Sequence, residues 1–173
     1  LLALVVLLVF TSASACAEAE DLHAIWGGLL KIHVDDGLVD YQGFKNDEAL
    51  LDAYLKILDN TDPEVLEVQD RLALYINAYN AYTIKLILEN FNGNKPLKSI
   101  KKIGGFFSSP WSIEFAAIGG RTLSLDNLEH DIIRPDFKEP RVHFAVNCAS
   151  KSCPPLISEP YTGRTLDAQL EAN

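Results

Sequence analysis

One stretch of the chain, from Leu72 to Leu88, limits the choice of fold more than any other. When its residues are placed at helical steps of about 100°, apolar side chains cover most of the circumference. Only a narrow strip that holds Arg71, Lys85 and Glu89 is polar. A helix that is apolar on nearly every side packs against neighbours on several sides. The sequence therefore predicts a long helical region from residues 62–64 to Phe91, broken near Val68, with a buried central helix as its main part.

Helical patterns flank this central helix on both sides. Apolar spacing predicts an amphipathic helix over residues 21–32, and Asp47 is positioned to cap a second one. Ser124 is positioned to cap a later helix, which we expect to run to Arg134 and to stop at Pro135. The first part of the chain is therefore predicted to be mainly helical.

Strand patterns occur mainly in the second half of the chain, after a turn at Asp36-Gly37 and one short predicted strand at Val39-Asp40-Tyr41. Two short runs joined by Gly119-Gly120 predict a β-hairpin, and the alternation from Arg141 to Asn147 predicts a strand. Helices first, then strands mixed with helices, are typical of an α+β domain. We predict one such domain, with N-terminal helices, a buried central helix, and then a small antiparallel or mixed sheet with further helices.

The N-terminus has the pattern of a secretory signal. An apolar run, Leu1 to Phe10, is followed by small residues and Cys16, and the first seventeen residues contain no charge. We interpret residues 1–17 as a partial signal peptide and residues 18–173 as one domain with an incomplete C-terminus. Cleavage at Ala15-Cys16-Ala17 predicts a free periplasmic or extracellular protein, which we favour slightly. Lipidation of Cys16 instead predicts an envelope-anchored protein, which would be its only link to a membrane.

The charge balance excludes one class of partner. The chain has 15 basic and 24 acidic residues, a formal net charge of −9. Nucleic-acid binding depends on clustered Lys and Arg, so we predict no nucleic-acid partner. The expected partner is an unidentified small-molecule or peptide substrate, and the sequence predicts no cofactor.

Glu129 is the first candidate site residue. On the helix predicted after Ser124 it falls in the middle of an apolar face. A buried carboxylate must be paired, hydrogen-bonded or protonated. An ion pair with Arg134 or Arg141 explains it structurally, whereas a functional site would use it to orient a histidine. His130, one step round, lies at the edge of the same face.

Polar side chains on two other elements can complete a pocket. On the predicted strand, Arg141, His143 and Asn147 share the face opposite the core. They line a pocket if that face meets protein, and they are exposed if the strand lies at an edge. Asn77 and Asn80 share one side of the central helix, where buried amides either tie the helix to loops or donate into a pocket.

Cys148 and Cys153 allow three kinds of chemistry. In an exported protein a disulfide is the first expectation, and it requires the intervening Ser-Lys-Ser segment to fold back as a turn. A thiolate nucleophile is the second, if a reversal of the chain brings a sulfur beside His143. A zinc site with His143, Cys148 and Cys153 ranks lowest because its spacing is loose, so we predict no metal.

Several of these segments together resemble the family called domain of unknown function 547. The similar segments are residues 75–81, 123–130, 133–134 and 140–156, with Trp26 and residues 39–41 matching the opening pattern. The resemblance implies an often exported, often bacterial protein with plant relatives, and it implies no reaction. In the family a further segment follows, so a site residue can lie beyond Asn173.

Two hypotheses for the function follow. The first is a cysteine-dependent hydrolase or acyl transferase with Cys148 or Cys153 as nucleophile, His143 as base, and Glu129 or Asn147 orienting the base. The second is a non-catalytic envelope binding or scaffold domain with a structural Cys148–Cys153 disulfide.

Overall fold

The computed structural model describes residues 22–104, 109–150 and 153–173. The first half contains helices α1 (Ala24–His33), α2 (Tyr41–Asn46), α3 (Glu48–Asn60) and α4 (Val68–Glu89). Strands β1 (Val34–Asp35) and β2 (Leu38–Val39) form an antiparallel hairpin between α1 and α2. The predicted signal peptide lies outside the described residues.

The second half contains shorter elements. Strands β3 (Ala116–Ile118) and β4 (Arg121–Leu123) are followed by a π-helix, Asn127–Ile133, and by helices α5 (Arg134–Phe137), α6 (Val142–Ala145) and α7 (Leu166–Ala172). Helices and two small antiparallel hairpins make up one α+β fold, as predicted. None of the described helices has both the length and the apolar character needed to span a membrane.

Helix α4 is the centre of the core, as its apolar circumference predicts. Every residue from Leu72 to Ile84 is buried, and so are residues 86–88. Lys85 lies in the polar strip, where its ammonium group pairs with Glu48 and Asp52. The predicted start signal and the predicted break near Val68 are both present, because Asp62 caps a 3-10 turn at Pro63–Val65 and α4 begins at Val68.

The predicted Gly-Gly hairpin is present. β3 pairs with β4 in antiparallel register, and Gly119 and Gly120 form the connection with φ values of 58° and 72°. These left-handed values favour glycine, which has no Cβ to clash with the backbone. The hydroxyl of Tyr82 on α4 donates to the carbonyl of Ala117 and accepts from its amide, which ties the hairpin to the central helix.

The helix after Ser124 differs from the predicted one in its winding and its end. The Ser124 hydroxyl accepts from the Asn127 amide, so the predicted cap is present. Over Asn127–Ile133 the helix widens to π-type hydrogen bonding, and it then passes through Pro135 as far as Phe137. The predicted stop at Pro135 is wrong, because proline lies in the first turn of α5, where a missing amide proton costs little.

The predicted strand from Arg141 to Asn147 is wrong. Residues Val142–Ala145 form the short helix α6, and the chain becomes extended only at Val146. Val142, Ala145 and Val146 are buried, which is the i, i+3, i+4 spacing of one helical face. His143 and Phe144 between them are exposed. The apolar residues in this seven-residue segment fit both the two-residue period of a strand and the spacing of one helical face. The segment adopts the helix.

Candidate functional site

An open cleft of about 360 Å³ lies between the π-helix and helix α6. The π-helix supplies Glu129, α5 supplies Arg134, and α6 supplies Val142 and His143; the loop residues Lys138, Glu139 and Pro140 complete the wall. Two of the predicted site residues, Glu129 and His143, are therefore brought together. The cleft volume falls within the range of small-molecule sites, about 300–1,000 Å³.

The π-helical winding brings Glu129 and Arg134 onto one side of the helix. Residues five apart lie about 140° apart around a regular α-helix, whereas bonding from i to i+5 brings them close to the same side. Arg134 donates from Nε and Nη2 to Glu129 Oε1, at 3.2 and 2.6 Å. The Glu129 side chain is only 15% exposed and that of Arg134 is 49% exposed. The ion pair proposed from sequence is therefore present, with Arg134 as the partner.

Tyr79 on the central helix supports the same carboxylate from below. Its side chain is buried, and its hydroxyl lies close enough to Glu129 for the carboxylate to act on it. Burial raises the pKa of Tyr79 above its usual value, and the negative charge of Glu129 raises it further. The phenol therefore stays protonated beside the carboxylate. Glu129 is held by the guanidinium of Arg134, and the buried Tyr79 is its neighbour on the central helix.

His143 lies on the other side of Arg134. Its Nδ1 atom is 3.5 Å from Arg134 Nη2. A guanidinium can only donate, so Nδ1 acts as the acceptor in this contact. Neutral His143 then carries its proton on Nε2, and that N–H group is free to serve the cleft. The guanidinium of Arg134 therefore contacts both Glu129 and the imidazole of His143, and it lies between them.

Glu139 and Arg141 form a second ion pair at the edge of the cleft. Arg141 donates to both oxygens of Glu139, and its Nη2 also donates to Asp167 at 2.8 Å. Hydrogen bonds from Arg141 are the main reason that the pKa of Glu139 falls to about 2. Asp167 and Glu171, the other partners of Arg141, belong to α7. Arg141 therefore links α7 to the cleft wall and does not line the cleft itself.

Asn77 and Asn80 act as two buried clamps on later segments of the chain. Asn80 Nδ2 donates to the Ala145 carbonyl at 2.9 Å, and Asn80 Oδ1 accepts from the Asn147 amide at 2.8 Å. Asn77 makes the same pair of bonds to the carbonyl and the amide of Tyr161. These side-chain amides tie the helix to neighbouring segments. Of the two roles that the sequence allowed, they have this structural role. Asn80 holds the end of the helix that carries His143.

The sulfur atoms of Cys148 and Cys153 lie at disulfide-bonding distance, with their Cα atoms 6.0 Å apart. Asn147 closes the turn, since its side chain accepts from the Ala149 amide and donates to the Pro154 carbonyl. Among the described residues, neither cysteine lines the Glu129 cleft. Cys153 lines a second cleft of about 370 Å³, beside the β1–β2 hairpin, and no histidine lines that one.

The remaining predicted residues fall outside the first cleft. His130 is exposed and does not line the cleft, and Asn147 is half-buried in the cysteine turn. The predicted shared face of Arg141, His143 and Asn147 is wrong, because that face belonged to a strand that is a helix. Within the described ranges no group of three or more His, Cys, Asp and Glu side chains is arranged to hold a metal ion.

From the sequence, Arg134 is identified only as an ion-pair partner, and two other charged residues of the cleft, Lys138 and Glu139, are not identified. Tyr79, which lies beside Glu129 without lining the cleft, is not identified either. The spacing of Glu129 and Arg134 gives no helical signal unless the winding is known. Tyr79 and Glu129 are fifty positions apart. The composition of the segment before Pro140 was the one available signal, because it places Lys138 close to the other charged residues.

The fold and the cleft define a class: a single α+β domain whose polar cleft and disulfide-bonded turn are both anchored on a buried helix. Residues 63–173 match the family model described as Protein of unknown function, DUF547, and the chain belongs to that family. The matched region contains α4, the cleft and the cysteine turn. Trp26 and residues 39–41, which also resembled the family, precede it. No curated protein and no solved structure matches the chain.

Proposed function

We propose that this protein is a non-catalytic binding domain of the cell envelope whose ligand occupies the Glu129–Arg134–His143 cleft. One observation carries the proposal: the two cysteines are paired with each other, and His143 and Glu129 line a cleft to which neither sulfur contributes. A thiolate nucleophile needs a base at hydrogen-bond distance. His143 has Arg134 as its hydrogen-bonding neighbour instead.

The winding of the helix beside the cleft supports a binding role for it. A π-helical stretch is rare, and such stretches occur frequently at functional sites. Here it spans Asn127–Ile133 and is what places Glu129 beside Arg134. A regular helix would bury the same apolar residues without this contact. The unusual winding is therefore explained by the cleft better than by the packing of the core.

Export is part of the proposal. The apolar N-terminal run followed by small residues favours secretion, with a periplasmic or extracellular location and either a free or a Cys16-anchored form. A disulfide persists in oxidising compartments and is rare in the cytosol. The Cys148–Cys153 pair supports the same location. The predicted partner is a small molecule or peptide.

Alkylation tests the role of the cysteines. Protein isolated from an oxidising compartment is expected to take up no iodoacetamide at Cys148 or Cys153 before reduction, and two labels after it, as read by mass spectrometry of the tryptic peptides. A Cys148→Ser variant provides the control, because it leaves one free thiol at Cys153. Fast labelling of the unreduced wild-type protein at either position would contradict the proposal.

Removing both sulfurs is expected to cost stability and not function. Closing a loop of this size lowers the entropy of the unfolded chain by an amount worth about 2 kcal/mol. Cys148→Ser combined with Cys153→Ser should lower the free energy of unfolding by that amount, measured by urea denaturation. Wild-type protein kept in reductant should match the double variant. An unchanged free energy of unfolding would show that the turn does not depend on the disulfide.

A thiol-dependent hydrolase or acyl transferase is the second candidate function. The observation in its favour is that Cys153 lines an open cleft, so a reduced thiol there would be accessible to a substrate. This candidate predicts that reduction creates an activity toward thioester or ester substrates and that Cys153→Ser abolishes it. Reduced protein that hydrolyses no faster than its Cys153→Ser variant would remove this candidate.

A further inference from the structure

The cleft has hydrogen-bond donors that the protein itself does not use. Arg134 donates from Nε and Nη2 to Glu129, and its Nη2 also contacts His143. Both N–H groups of Nη1 therefore have no partner in the described part of the chain. Lys138 is exposed and makes no ion pair with any described residue. With His143 Nε2, three side chains therefore offer free donors to the same cleft.

The acceptors of the cleft, in contrast, are largely occupied. Both oxygens of Glu139 accept from Arg141, whose guanidinium lies outside the cleft. Glu129 Oε1 accepts two hydrogen bonds from Arg134, which forms an ion pair with this carboxylate. The two carboxylates are therefore neutralised by internal partners. The hydrogen-bonding groups of the cleft that lack a protein partner are therefore mainly donors on cationic side chains, although the chain as a whole is acidic.

From this imbalance we infer that the cleft binds the oxyanion group of its ligand, a carboxylate or a phosphate, through Lys138, Arg134 and His143. The inference rests on the proposed binding function and names the chemistry of the ligand. A guanidinium presents a planar fork that fits two oxygens of either group, and Lys138 adds a point charge at the rim. Val142 and Pro140 supply the apolar wall against which the rest of a ligand can lie.

The backbone conformation of Lys138 supports a role for its side chain at the rim of the cleft. Lys138 has a left-handed conformation, with φ 51° and ψ 33°, at the end of α5. This conformation is uncommon for a residue with a side chain and is favoured by glycine or asparagine. If this position served only to end the helix, glycine would fit the backbone better. Binding of an oxyanion by the ammonium group explains why a lysine is present instead.

Small probes of matched shape test the inference. Acetate, inorganic phosphate, acetamide and methylammonium are titrated separately at fixed pH and ionic strength, and the ring signals of His143 are followed by NMR, assigned by their loss in His143→Gln. Acetate and phosphate are expected to shift these signals with saturation, while acetamide, which has the shape of acetate without its charge, does not. Whichever oxyanion saturates at the lower concentration identifies a carboxylate or a phosphate ligand.

A lysine variant separates recognition from general charge. Lys138→Gln should weaken binding of the better oxyanion by about tenfold, while Lys31→Gln, an exposed lysine on α1, should leave it unchanged. Full affinity in Lys138→Gln would overturn the inference. Shifts caused only by acetamide or methylammonium would overturn it as well, while leaving the proposed binding function in place. If no probe shifts the His143 signals, the inference and the binding function both fail.

Discussion

Replacing Asn80 with alanine is expected to lower the free energy of unfolding by about 3–4 kcal/mol. The Asn80 side chain is buried and satisfies the carbonyl of Ala145 and the amide of Asn147. Alanine removes both bonds and leaves two backbone groups unpaired, each at a cost of about 1–3 kcal/mol. The loss can be measured by urea denaturation monitored by circular dichroism.

An exposed asparagine provides the control for Asn80. The amide of Asn60 also donates to a backbone carbonyl, that of Lys56, but its side chain is exposed. Water can replace its bond, so Asn60→Ala should cost less than about 1 kcal/mol. Because Asn80 anchors the helix that carries His143, the NMR ring signals of His143 should also move in Asn80→Ala. Equal effects of the two substitutions would show that Asn80 is not a clamp.

The second large effect concerns pH and the buried residue His23. Its Nδ1 atom lies 2.8 Å from the Tyr54 hydroxyl, and burial lowers the pKa of His23 to about 4 from an ordinary value of 6.5. Folded protein keeps this imidazole neutral, whereas the unfolded chain takes up a proton below pH 6.5. Stability should therefore fall as pH drops from about 6.5 to about 4, by about 3 kcal/mol from this group alone.

Two histidine substitutions isolate this contribution. His23→Gln removes the titrating group, so its free energy of unfolding should vary less between pH 7 and pH 4.5 than that of the wild type. His130→Gln, at an exposed position, should keep the wild-type slope. Glu139, whose pKa falls from an ordinary value of 4.5 to about 2, begins to lose its stabilising contribution only near pH 4.5, and it does so equally in all three proteins. A wild-type slope in His23→Gln would show that this imidazole does not titrate as its burial requires.

The elements predicted correctly are those whose pattern is long or chemically unambiguous. Helix α4 was predicted because its apolar side chains extend over five turns, and only a helix buried on several sides has that distribution. The β3–β4 hairpin was predicted because Gly119 and Gly120 provide the left-handed turn that few other residues allow. A disulfide was the first of three expectations for Cys148 and Cys153, and the turn-forming residues between them allow the two sulfur atoms to meet. Each signal is local to the chain.

The errors arise where a local pattern has two solutions. Seven residues from Arg141 to Asn147 satisfy both strand and helix spacing, and the choice is made by Asn80, far away in sequence, which takes the Ala145 carbonyl and the Asn147 amide. Once these groups bond to a side chain, they no longer serve a strand partner. The predicted face with His143 and Asn147 together was lost with the strand.

The cleft itself could be predicted only in part. Glu129 was found because a carboxylate on an apolar face is costly, and His143 because it lies on the polar face of the predicted strand and close in sequence to the cysteines. Arg134 was not recognised as a cleft residue, since its position beside Glu129 depends on the π-helical winding. Whether a helix winds as an α-helix or a π-helix depends on how its sides pack against the rest of the protein. A sequence of seven residues is too short for the spacing of its apolar side chains to reveal which winding it adopts.

The proposed ligand binding takes place at the His143 cleft without the sulfurs. Its most direct test is the affinity of the better-bound oxyanion, read from the His143 ring signals, in wild-type protein and in the folded Cys148→Ser/Cys153→Ser double variant. We expect dissociation constants that agree within about twofold. A loss of binding of about tenfold or more in the folded double variant would contradict it, because the cysteine turn would then belong to the site.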